Sequence, residues 1–163
     1  MTRIINTIKL NKKITYLQKL KSLNKESGLI FNSLDNILND FIGHKLFTIL
    51  KFDKINSNLE RVYTSKPREY PLQGKKDVIR NFWQVQVLEK GIAYIGYNFQ
   101  DIKNSFSDFD LIKKLGCSSV LIIPVKSEDN IKGSVNLLHE ESWYSDNDVK
   151  GAQKIVQLIS EVL

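Results

Sequence analysis

The side chains able to do chemistry are few and they concentrate near the C-terminal end. Residues 115–144 read LGCSSVLIIPVKSEDNIKGSVNLLHEESWY and hold the single cysteine, Cys117, together with His139 beside Glu140 and Glu141. A thiol and an imidazole are the ingredients of nucleophilic catalysis when a base orients the nucleophile. Cys117 follows Gly116 at a predicted helix end, where the negative pole of the helix dipole raises a thiol pKa. It reads either as a small half-buried wall residue or as a reactive, reversibly oxidised thiol. The carboxylates beside His139 favour its charged form and can orient it as an acid or base. Backbone groups at a strand end would satisfy it equally well. His44, straight after Gly43, reads as structural.

A second set of residues suits binding. Tyr63 lies in a predicted strand, and Tyr70, Trp83, Tyr94 and Tyr97 lie in the region expected to cover the sheet. Aromatic rings with polar tips grip flat or cationic ligands, and they also fill ordinary cores. Arg68 and Arg80 flank that region, and either can hold a carboxylate or phosphate in two-pronged fashion. Asn136 has an even chance of facing the cavity, since strand side chains alternate. The expected ligand contacts are Tyr63, Arg68, Trp83, Tyr94 and Asn136, with Cys117, Ser119 and His139 at the pocket wall. Cys117, Tyr63 and His139 are the candidates for a catalytic role.

Other chemistries lack their motifs. There is no nucleophile elbow, no convincing carboxylate pair and no phosphate loop, because GKKD at 74–77 lacks the earlier glycine. Two histidines and one cysteine are thin material for a transition metal, so no metal is expected. No particular cofactor is indicated.

A chain of 163 residues with 42% hydrophobic and 26% charged content suits one globular core. No apolar run spans a bilayer, and the N-terminus lacks the apolar stretch of a signal peptide. A lone cysteine fits a reducing cytoplasm, which is the expected location. The net charge of +6 arises from scattered lysines rather than a basic stripe, which disfavours nucleic acid as a partner.

Residues 1–26 read as a basic helical arm and 27–163 as the main domain. Ile30, Leu34, Ile37, Leu38 and Phe41 recur at helical spacing up to Gly43. HKLFTILKFD (44–53) and LERVYTS (59–65) read as strands, followed by the loop 65–76 and a helix over 77–90. A short strand at 92–98 precedes a helix over 107–116 with an S-x-x-D cap at Ser107 and Asp110. SSVLIIPV and KGSVNLLHE form a hairpin, and Ser145 with Asp148 caps the last helix. Hairpins without regular βαβ alternation imply an α+β fold around an antiparallel sheet of about five to six strands. The terminal helices cover one face, and short helices with a loop leave a pocket on the other.

The pattern SSVLIIPV…IKGSVNLLH…WYSDNDV resembles the GAF domain, and IGHKLFTILKFD, ERVYTSKPREYP and LGCSSVLIIPV look like stretches of small bacterial GAF proteins. The resemblance covers roughly residues 27–163. It implies a pocket for a cyclic nucleotide, chromophore, amino acid or other small molecule, and pairing through terminal helices. The cyclic-nucleotide motif is absent, since NLLHEESWYSDND has no Lys after Asn136. Cys117 is followed by Ser118 rather than the His of bilin-attaching members, and one cysteine cannot run the cycle of the free methionine sulfoxide reductases. The expected function is a sensory or regulatory domain, a homodimer, binding a small polar metabolite under the lid formed by 65–115. The alternative is a small-metabolite enzyme using Cys117 or Tyr63 with His139.

Overall fold

A computed structural model describes residues 6–72 and 74–163. Residues 1–5 of the expected basic arm, and Gln73 of the expected loop, lie outside the described residues. Helices α1 (Thr7–Ser22) and α2 (Ser27–Phe41) lead into strands β1 (Leu46–Asp53), β2 (Asn58–Thr64) and β3 (Lys76–Asp77). Helix α3 (Phe82–Gln84) runs on as a π-helical turn, Val85–Glu89, into β4 (Tyr94–Gly96), α4 (Phe99–Ser105) and α5 (Phe109–Lys114). The hairpin β5 (Ser119–Ser127) and β6 (Asn130–His139) precedes α6 (Asp146–Val156). The six strands pair antiparallel in the order β3-β2-β1-β6-β5-β4.

Strand alternation divides the interior into two layers. In β5, Leu121, Ile123 and Val125 face α1, α2 and α6, while Val120 and Ile122 face α3 to α5. The central pair, β1 with β6, repeats the division: Phe47, Ile49, Val135 and Leu137 join the first layer, Leu46 and Leu138 the second. Leu17 and Leu20 are buried in the first layer, so α1 contributes to the core. Two glycines are dictated by geometry. Gly43 adopts φ +93° where α2 ends, a left-handed turn that side chains resist. A Cβ on Gly133 would run into the Leu50 carbonyl oxygen of β1.

The elements around the second layer differ in detail from the sequence expectation. The helix expected over 77–90 starts only at Phe82, because Lys76 and Asp77 pair with Leu59 and Asn58. Arg80 then takes φ +53°, and Asn81 caps the helix: its Oδ1 accepts the Gln84 N–H at 3.1 Å. Helix α5 begins after Asp108, so Ser107 is not its cap. Helix α4 was not foreseen; Asn98 Oδ1 accepts the Asp101 N–H at 3.0 Å and starts it. The cap at Ser145 forms as expected, with the Asp148 carboxylate accepting the Ser145 N–H at 2.9 Å. Among the described residues no helix is long and apolar enough to cross a membrane.

Candidate functional site

The second layer does not close completely. A cavity of about 300 Å³ lies between the sheet and the α3–α5 lid. Its floor is Thr48 and Leu50 of β1, Leu59 and Arg61 of β2, and Asn136 and Leu138 of β6. Trp83, Phe106 and Ile112 wall it from the lid side, and Lys76, Asp77 and Ile79 lie toward the β3 edge. One carbonyl organises the lid: Ser105 O accepts the Trp83 indole N–H at 3.0 Å and the Asn81 amide at 3.2 Å. That fixes α3 against the end of α4.

Arg61 dominates the electrostatics. Its side chain is only 8% exposed, and buried charges are costly unless paired. Its Nη1 donates to Pro71 O at 2.7 Å, and its guanidinium lies 3.8 Å over the Tyr70 ring. Nη2 stands 3.6 Å from Asp108 Oδ2, too far for a good hydrogen bond. Arg61 Nε and Asp108 Oδ2 are both buried without a hydrogen-bond partner. Burial, with the Asp108 carboxylate adding to it, holds the Tyr70 phenol well above its ordinary pKa. Asn136 Oδ1 accepts the Ser134 hydroxyl at 2.8 Å, which fixes the orientation of its amide.

Of the expected contact residues, the cavity brings together Trp83 and Asn136. Tyr63 faces the other layer, packing edge-on against Phe31 and Phe47 and donating its hydroxyl to Asp35 Oδ2 at 2.7 Å. Asp35 also meets His44 Nε2 at 2.6 Å. Arg68 is exposed in the segment after β2. Tyr94 is half-buried on β4 beside Phe82, along a separate surface groove. Cys117 is fully buried in the second layer. Burial pushes its thiol up to about 11, offset in part by Lys45 and Lys66. Ser119 donates its hydroxyl to Glu140 O at 2.7 Å. His139 stacks on Trp143 with ring centres 3.6 Å apart, and its Nδ1 accepts the Glu140 N–H at 2.8 Å.

Sequence reasoning did not select Arg61 or Asp108. A signal existed for the first: Leu59 and Arg61 alternate in one strand, so a strand that buries Leu59 buries the arginine too. For Asp108 there was none, because its role depends on where the α4–α5 link crosses β2.

The same arrangement of sheet and helices occurs in solved structures. The phycoerythrobilin-bound GAF domain from a cyanobacterial phytochrome superposes with a TM-score of 0.72, covering 98% of this chain and 95% of that one, at 13% identity. The fold is that of a GAF domain. The GAF fold is shared with fRMsr of Staphylococcus aureus in complex with substrate, at TM-score 0.69, 14% identity and coverage of 99% and 97%. The GAF domain of a two-component sensor histidine kinase from Bacillus halodurans matches at TM-score 0.61 and 12% identity, covering 80% of this chain and 90% of that one. No protein-family model and no curated protein matches the chain.

Proposed function

We propose that this GAF fold is a sensory, small-molecule-binding domain whose ligand is enclosed between the sheet and the α3–α5 lid. The observation that carries the reading is a cavity of about 300 Å³ lined by Arg61 and Asp108, two side chains that each keep a buried polar atom, Nε and Oδ2, without a hydrogen-bond partner. Leaving a buried donor or acceptor without a partner costs about 1–3 kcal/mol each, a cost that a ligand removes. The volume stands at the small end of the roughly 300–1,000 Å³ range of ligand sites. Fold neighbours that include a sensor kinase GAF domain and a methyl-accepting chemotaxis protein support a sensory reading. Signal output through paired copies is supported by Tyr16 and Leu29, both exposed beside a groove between α1 and α2.

The enzymatic alternative receives less support. The Cys117 thiol is buried in one layer, while Tyr63 packs into the other and His139 stacks on Trp143, itself packed against that other layer. These groups share no reaction volume. The deciding experiment compares native with denaturing mass spectrometry of protein purified gently from its own host. A non-covalent molecule present in the first spectrum and released in the second is the expected result. Its loss in a Leu138→Trp variant, which fills the cavity, places it there. Protein that is empty in both spectra and indifferent to a metabolite thermal-shift screen overturns the reading.

A further inference from the structure

Resting on the binding reading above, we propose that the ligand is a zwitterion of the α-amino-acid type with an apolar side chain. Its carboxylate would lie on the Nε/Nη2 edge of Arg61 and its ammonium on Asp108.

The guanidinium is already committed on two sides. Nη1 donates to Pro71 O, and one face lies over the Tyr70 ring. What remains is the edge carrying Nε and Nη2, a flat two-donor fork that matches a carboxylate. Nε has no partner, and Nη2 has only Asp108 Oδ2 at 3.6 Å. The fork is therefore unpaired rather than open: Arg61 Nε and Asp108 Oδ2 are both sealed from solvent, so the ligand must part the Arg61–Asp108 pair as it enters.

Asp108 decides which anion fits. A simple carboxylate or phosphate on Arg61 would bring negative charge beside the Asp108 carboxylate, in a place where water screens poorly. A simple amine on Asp108 would set positive charge against Arg61. A molecule with both charges on neighbouring atoms satisfies both groups and leaves the cavity's net charge unchanged. The rest of the ligand meets a different surface. Trp83, Phe106, Ile112 and Leu138 present rings and aliphatic groups to the cavity, which suits an apolar side chain.

The test uses the full chain and three probes with one side chain: L-leucine, 4-methylpentanoate and 3-methylbutylamine, with the L-phenylalanine series run in parallel. Thermal shift and titration calorimetry should show saturable binding of an amino acid. Both single-charge analogues should bind at least about tenfold more weakly, the loss of one charge-assisted contact. Asp108→Asn should then weaken the amino acid by a similar factor while improving the carboxylate analogue, a reversal that general destabilisation does not produce. If that variant does not fold, the probe series alone decides. A carboxylate that binds the wild type as tightly as its amino acid overturns the zwitterion and leaves the cavity reading standing. So does a neutral cyclic amide, with 2-piperidone as the probe, that binds where amino acids do not. Amino acids that fail to bind while a host-derived molecule is released also overturn this inference alone. Failure of the amino acids together with an empty, unresponsive protein overturns both.

Discussion

Arg61 and Tyr63 stand two residues apart in β2 and face opposite layers. The ladder pairs Ile49 with Tyr63 and Leu50 with Arg61, so Val62 is an extra residue on the β2 side. This bulge sends the guanidinium to the cavity and the phenol to Asp35. Deleting Val62 should restore simple alternation and force one of the two onto the wrong face. We expect a loss of about 3–5 kcal/mol, the cost of breaking a buried charge from its partners. Urea unfolding of the deletion variant measures it; a stability equal to wild type would show that the bulge aims neither side chain.

On the far side of the sheet, Tyr63→Phe removes the 2.7 Å bond to Asp35 and keeps the ring contacts. The variant should be less stable by about 1–2 kcal/mol. Ligand affinity should hold, because Tyr63 does not line the cavity. Parallel unfolding and binding measurements separate the two effects.

Stability should fall in alkali. The Cys117 thiol is raised from 9.0 to about 11, and burial also raises the Tyr63, Tyr70 and Tyr94 phenols above 10.0. Each group holds its proton more tightly when folded, so the unfolded chain releases protons first as pH rises. The contribution of Cys117 is complete below pH 9.0 and declines toward about 11; the phenols add to the decline above 10.0. Melting temperatures across that window should drop steadily. A thiol reagent at pH 8 should label Cys117 only as fast as the domain opens, and rapid labelling of folded protein would contradict the burial argument.

The chain's two tryptophans report on different regions. Trp83 walls the cavity, whereas Trp143 stacks on His139 and donates its indole N–H to Ile42 O at 3.0 Å. A Trp143→Phe variant leaves Trp83 as the sole indole fluorophore. Ligand entry should change its emission, and the complementary Trp83→Phe variant should show little response. A signal confined to Trp143 would place the ligand elsewhere.

Gly133→Ala should destabilise by about 3 kcal/mol or more, above the usual cost of overpacking, because the obstacle is backbone. Loss of the β1–β6 pairing would show as accelerated amide exchange in both strands.

The second half of the sheet was legible because its signals are local. The run from Ser119 to Val125 alternates between layers, and Ser145 with Asp148 marks the start of α6. Trp83 and Asn136 line the cavity for a similar reason: one sits on a lid helix, the other on an apolar strand. Tyr63 was expected in the cavity because an aromatic ring with a polar tip suits ligand contact, and the one-residue bulge that turns it to the other layer leaves no mark in the residue types. Arg61 itself looks like a surface residue until Pro71, Tyr70 and Asp108 gather around it. Those partners come from separate segments of chain, and no local pattern encodes their meeting.

The pairing of β1 with β6 has a consequence for synthesis on the ribosome. β1 is made before β6 and hydrogen-bonds it, from Leu46 opposite Leu138 to Lys51 opposite Gly133. Until β6 emerges, one whole edge of β1 is bare, beside apolar residues such as Phe47 and Ile49 that lack their β6 neighbours Leu137 and Val135. The nascent chain thus carries a sticky half-domain through much of translation, and a trigger-factor-like holdase has a defined stretch to protect. Pausing that delays the emergence of β6 from the ribosome should raise aggregation, whereas pausing after its emergence should not.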